Sequence, residues 1–319
     1  MINQEKINFK VTRDFGETFN VSIKFLRQNF KSYFLCLLFL AGPMILLYSC
    51  SSAYYQTVIL YKVSLVKAGR LYNMNIFTWE YFLSIFFQFL SYLSMMCCTY
   101  AYMLVYQEKG KGNFTTGDVA RKMNASAGKI IGAFFLFFFL ITIFVFAIIL
   151  VYIVIAKLST VLGVLIGIGL FIGAILLGPT ISWQLSTSFL VILADDETPI
   201  SGYTRTKDVM KRNHWWTWLI MVCASLMVVL LSLLFTLPKT IYSLVLTYST
   251  SSEPQETSFF YLTVLTVCTF AATLVYSIIY IICGFHYFSL AEKSDGTGLM
   301  ERINEIGKST IDTKEQQQF

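Results

Sequence analysis

Six apolar runs, each long enough to cross a lipid bilayer, limit what this sequence can form. About 20 apolar residues are needed for one crossing, and such a run must be helical because lipid offers its backbone no hydrogen-bond partner. The runs cover residues 33–60, 79–106, 129–155, 161–193, 215–237 and 259–290. Of the 319 residues, 56% are hydrophobic and 13% are charged, against about 25% charged in soluble domains. The sequence therefore predicts an all-α polytopic transmembrane protein with six spans.

The distribution of basic residues predicts the orientation of these spans. Most of the 24 lysines and arginines fall in the two termini and in the second and fourth connections. The other connections carry Lys62, Lys67, Arg70, Lys157 and Lys239. The positive-inside rule then places both termini in the cytoplasm. The net charge of +6 reflects this asymmetry, so we expect no direct nucleic-acid partner. No short apolar core typical of a cleaved signal peptide occurs in the polar N-terminus.

Three regions follow from this topology. Residues 1–32 form a cytoplasmic N-terminus, residues 33–290 the six-span domain, and residues 291–319 a cytoplasmic helix followed by a disordered tail. The N-terminal region has one apolar stripe at helical spacing, made of Phe15, Phe19, Ile23, Leu26 and Phe30. A helix of this kind lies along the headgroup plane. It is a topological anchor, a docking surface for a partner or a lipid sensor.

A second interfacial feature is the segment "KRNHWWTW", in which charge, indoles and an apolar run follow one another. Lys211 and Arg212 suit anionic headgroups, and Trp215, Trp216 and Trp218 suit the aromatic belt at the membrane surface. The segment predicts a cytoplasmic membrane boundary. A binding site built on the tryptophans is the alternative interpretation.

A basic, polar segment precedes a span three times along the chain, at 14–38, 115–139 and 199–223. Each of the three units also ends on an apolar exit, an acidic residue and a turn, as in "YMLVYQEKGKG", "FLVILADDETP" and "YFSLAEKSDGTG". These recurrences predict three repeats of a cytoplasmic amphipathic helix followed by a transmembrane hairpin.

Reactive groups are scarce. No acidic or basic residue falls deep in a predicted span, which disfavours an ion-coupled carrier, because intramembrane charges usually mark transport paths. The two histidines, His214 and His286, do not form a metal-ligand set. The seven cysteines lack CxxC spacing and are interpreted as small apolar core residues. The chain is therefore not expected to be an enzyme or to hold a cofactor.

The fourth run contains two GxxxG pairs, Gly163 with Gly167 and Gly169 with Gly173. Glycine lets helix backbones approach closely in a membrane. The pairs serve either packing within the chain or contact with a second copy or a partner.

The stretch "FLVILADDETPISGYTRTKDVMKRNHWWTW" resembles the six-helix membrane domain attached to some glycerophosphodiester phosphodiesterases, and its stand-alone, uncharacterised bacterial inner-membrane relatives. The residues that carry the resemblance are Asp196, Pro199, Arg205, Lys211 and Trp215. It implies a six-span fold in the bacterial inner membrane. The phosphodiesterase domain is missing from this sequence, so the resemblance does not imply that activity.

These observations favour a non-enzymatic role: an accessory or scaffold subunit of an inner-membrane assembly, for protein translocation, insertion or envelope maintenance. We expect membrane lipids and at least one membrane protein as partners. Pro43 in the first run and Pro179 in the fourth predict kinked spans, because proline removes a helix hydrogen bond. The alternative function is a transporter of lipids or small hydrophobic solutes, or a membrane-remodelling protein, because kinked spans with polar but uncharged interiors suit such cargo.

Overall fold

The computed structural model describes residues 7–67, 69, 75–249, 259–296 and 300. Within these ranges every regular element is an α-helix. The helices are α1 (Phe15–Leu40), α2 (Gly42–Lys67), α3 (Trp79–Lys109), α4 (Thr116–Ala125), α5 (Ala127–Leu158), α6 (Thr160–Asp195), α7 (Pro199–Met210), α8 (His214–Ser249), α9 (Phe259–Val275) and α10 (Ser277–Asp295). The all-α prediction is confirmed. Five of the spans are long and apolar enough to cross a membrane, or six if a bent pair counts as one.

The bent pair is α1 and α2. Asp14 caps α1 and forms a reciprocal capping box with Glu17. The helix then continues without a break across position 32, where the sequence divides the N-terminus from the first span. It ends at Ala41, and α2 leaves at 63°. Pro43 lies at this bend, and proline removes one helix hydrogen bond and clashes with the preceding turn.

The best-buried part of the fold lies where α3, α6 and α10 converge. These three helices contact one another in all pairs. Residues 95–106 of α3, 187–193 of α6 and 281–287 of α10 are buried without interruption. A helix that is buried on every side must be enclosed by neighbours, and here α1, α4 and α7 complete the enclosure. We refer to the C-terminal ends of α3, α6 and α10 as the exit ends.

The shorter helices fold back along the exit ends. Helix α4 packs on α3, and α7 packs on α6. Gly202 of α7 is so close to α6 that a Cβ atom would lie 3.1 Å from the Ser188 carbonyl oxygen. Helix α1 packs on α10 as well as on α3. Just before α1, the Arg13 backbone N–H donates to Ser289 Oγ at 2.8 Å. Each exit end is therefore covered by a helix: α4 lies on α3, α7 on α6 and α1 on α10.

The α5–α6 hairpin differs from every other span. In its outer part, residues 138–178, Gly163 is the only buried residue. In the most apolar stretch of each helix, the buried share of the residues is 0% in α5, 6% in α6 and 39% in α3. Helix α6 continues through Pro179 into the buried core. The hairpin is thus an apolar extension of a helix whose other half is fixed in the core.

The predicted helix and tail in 291–319 lie outside the described residues, apart from 291–296 and 300.

Candidate functional site

The two glycine pairs of α6 have different surroundings. A Cβ atom on Gly163 would lie 3.0 Å from Ala156 Cα, and one on Gly167 would lie 3.7 Å from the Tyr152 ring. Both neighbours belong to α5, so this pair closes the hairpin. A Cβ atom on Gly169 or Gly173 would meet nothing within 4 Å. The second pair is therefore an open surface of small residues on an exposed helix.

An apolar groove of about 500 Å³ lies between α3 and the hairpin, along α5 from Phe134 to Ile149. Its α3 wall is Phe89, whose ring meets those of Phe134 and Phe138 edge-on at 6.4 and 5.4 Å. Leu185 and Phe189 of α6 contribute the remaining wall. No motif of the sequence described above corresponds to this groove. The run of phenylalanines at 134–139 is the signal that could have pointed to it.

The basic and tryptophan-rich boundary is only partly open. Lys211, Arg212 and Trp215 are exposed. Trp216 meets the ring of Phe15 edge-on at 6.0 Å. The Trp218 indole N–H donates to the Ile175 carbonyl oxygen of α6 at 3.1 Å. This segment therefore connects α8 to α1 and α6 and leaves its charges and one indole free to meet a membrane surface.

The apolar stripe of α1 is also divided. Ile23 and Phe30 are 52% and 58% exposed. Phe15 and Phe19 are partly buried against α8 and α10, and Leu26 packs on the main core. The face of α1 that is buried contains the polar residues Thr18, Ser22 and Asn29 beside Phe25.

A polar cavity of about 490 Å³ opens at the exit ends. Its lining includes the acidic residues that close the three units, Glu108, Asp195, Glu292 and Asp295. Arg205 pairs with Asp295, and Lys122 lies 3.0 Å from Glu108. Among the described residues no group of histidine, cysteine, aspartate or glutamate side chains could hold a metal ion. Glu108 and Asp295 thus take part in ion pairs that join helices.

Two further ion pairs fix the helix starts. Lys129 Nζ lies 2.7 Å from Asp196 and ties α5 to the end of α6. Lys109 Nζ lies 2.8 Å from Asp118 and ties α3 to α4. The hydrogen bond from Lys109, followed by one from the Thr115 backbone, lowers the pKa of Asp118 to about 2. The hydrogen bond from Lys129 lowers the pKa of Asp196.

Of the reactive side chains, one histidine and four cysteines are buried, and Cys50 is exposed. His286 is buried, with Nε2 2.9 Å from Thr217 Oγ1 and its ring 5.4 Å from that of Trp183. His214 lies beside Trp215. All seven cysteines are free, and Cys36, Cys97, Cys98 and Cys283 are buried.

The residues behind the sequence resemblance lie at helix junctions. Asp196 ends α6, Pro199 begins α7, and Arg205 joins α7 to α10. No family model, curated protein or solved structure matches this chain. Membership of the six-helix domain family stays a prediction.

Proposed function

We propose that this protein is a non-enzymatic accessory or scaffold subunit of a membrane assembly, and that the α5–α6 hairpin binds a transmembrane helix of a partner. The observation that supports this proposal is that Gly163 alone is buried among residues 138–178. The other spans bury a larger share of their apolar stretches against each other. A hairpin that leaves the bundle adds little to the stability of the bundle, but it presents two helices to a neighbour.

The open glycine pair indicates where the partner would pack. Lipid is as apolar as leucine, so exposed apolar surface alone does not drive helices together in a membrane. Close backbone approach at small residues does. Gly169 and Gly173 offer such a surface, whereas Gly163 and Gly167 already contact α5. The partner is therefore expected to be a helix with small residues at its own contact face.

The arrangement of the units belongs to the same proposal. Helices α1, α4 and α7 each cover an exit end, which supports three repeats of one helix plus hairpin. The basic residues of α4, α7 and their flanking loops support cytoplasmic exit ends. The resemblance supports the bacterial inner membrane. An assembly for translocation, insertion or envelope maintenance would suit these features.

Purification from native membranes in mild detergent, with mass spectrometry of bound proteins, tests the docking role. We expect a stoichiometric membrane-protein partner with the wild-type chain. In the double variant Gly169→Leu, Gly173→Leu, the amount of bound partner should fall at least tenfold. Gly132→Leu is the matched control, because that glycine of α5 also has nothing within 4 Å of its Cβ position but lies outside the outer hairpin. A wild-type chain that is monomeric and free of partners refutes the proposal.

The phenylalanine-lined groove favours a second function, transport of lipids or small hydrophobic solutes. It adjoins the hairpin and is open to the side. Reconstituted vesicles would then show lipid scrambling or solute efflux above empty controls. Vesicles that show neither would exclude this function.

A further inference from the structure

The groove between α3 and the hairpin has the shape of a site for one particular kind of molecule. We infer that it binds a single acyl chain of a membrane phospholipid, held as a fixed component of the fold. This inference does not rest on the proposed docking role of Gly169 and Gly173. It requires binding alone and no transport.

The length of the groove fits an acyl chain. Its α5 wall runs from Phe134 to Ile149. At about 1.5 Å of rise per residue this wall is roughly 22 Å long. One leaflet supplies about half of a hydrocarbon core of about 30 Å. A chain that enters from one leaflet can therefore lie along the wall for its whole length.

The groove is too small to enclose a partner helix. A helix about 22 Å long and about 10 Å across, including side chains, fills roughly 1,700 Å³. The groove offers about 500 Å³. Thr142 contributes the one hydroxyl group among the side chains that line it. A single hydrocarbon strand fits this space and has no polar group to satisfy, which a peptide strand would have.

Aromatic contacts fix part of the groove before any lipid arrives. Phe137 is clamped between Phe189 of α6 and Tyr203 of α7, at 5.9 and 6.0 Å between ring centroids. Phe89, which is 42% exposed, belongs to α3, and that helix is buried from Met95 to Tyr106. Aromatic side chains lose little conformational freedom on binding because they have two side-chain torsions. A preformed apolar groove of this kind retains a chain that a flat lipid-facing surface would exchange.

Native mass spectrometry of the full chain tests this site. The protein is reconstituted into vesicles of phosphatidylethanolamine and phosphatidylglycerol at three to one and extracted again in mild detergent. We expect one retained phospholipid per wild-type chain. Val145→Trp, which plugs the groove, should reduce its occupancy at least tenfold. Val151→Trp, on an exposed part of the same helix, should leave it unchanged.

Two measurements keep the outcome clear. Helix content and elution volume show whether Val145→Trp folds, and Thr142→Phe is a smaller plug if it does not. Bound partner protein is measured separately on the native-membrane samples, so loss of lipid and loss of partner are distinct results. Equal retention by wild type and both plugged variants, or no retained lipid on the wild-type chain, overturns the inference.

Discussion

Alanine at position 163 would bring a Cβ atom to 3.0 Å from both Cα and Cβ of Ala156. Backbone cannot yield as a flexible side chain does, so α5 and α6 would have to separate locally. Inserting a methyl group into a closely packed contact costs about 1–3 kcal/mol. Replacing a helical glycine by alanine gains about 1 kcal/mol of helix propensity. Gly163→Ala should therefore change the free energy of unfolding by between about 0 and −2 kcal/mol.

Gly173→Ala is the matched comparison, because the same methyl group there meets nothing within 4 Å. The propensity gain of about 1 kcal/mol is then expected without a packing cost. The two variants should differ by about 1–3 kcal/mol, with Gly163→Ala the less stable. The assay is SDS titration in mild detergent, followed by tryptophan fluorescence, to which buried Trp183 and α6-bound Trp218 contribute. Equal stabilities would refute the assignment of Gly163 to internal packing.

Other contacts give predictions of the same kind. Asp118→Asn removes the acceptor for Lys109, so amide hydrogen exchange in α4 should accelerate. Lowering the pH should also accelerate amide hydrogen exchange in α4. Because the pKa of Asp118 in the folded protein is lowered to about 2, its stabilising contribution is complete above about pH 4 and is lost as the pH falls to about 2. Thr217→Val should cost about 1–3 kcal/mol in the SDS titration, because buried His286 loses its hydrogen bond. Thr217→Ser should retain most of that stability. Phe25→Ala should cost about 3–5 kcal/mol in the same titration, since Phe25 is fully buried.

The length of the apolar runs made the helices predictable, because a run of that length has few alternatives to a helix in lipid. Pro43 indicated the first bend for an equally local reason. The break at Tyr276 between α9 and α10 has no proline or glycine beside it. That break depends on packing, which no local pattern records.

The buried face of α1 was harder to predict, for a physical reason. Ser22 Oγ donates to the Thr18 carbonyl oxygen at 2.7 Å, and the Asn29 side-chain amide donates to the Phe25 carbonyl oxygen at 2.9 Å. These polar side chains are satisfied within their own helix, so their burial needs no partner from elsewhere. Hydrophobic periodicity assigns such residues to the outside. Hydrophobic periodicity therefore predicts a packing face of α1 that is rotated relative to the face that is buried in the structure.

The glycine pairs and the groove show a second limit. Gly163 with Gly167 and Gly169 with Gly173 have the same spacing, and their surroundings differ because Ala156 and Tyr152 lie opposite the first pair alone. The groove requires Phe89 of α3 to lie against α5, a contact between residues far apart in sequence. Neither fact is contained in a local pattern.

The proposed docking surface and the proposed lipid site share one helix pair, and this has a thermodynamic consequence. The groove has one wall on α3, which is anchored in the core, and another on the hairpin. Pro179 interrupts the hydrogen bonding of α6 close to where its buried half becomes the exposed hairpin. A partner that held the hairpin at a different angle to α3 would change the width of the groove. Binding free energies are reciprocal, so occupancy of the groove would then alter the affinity of the hairpin for that partner by the same factor.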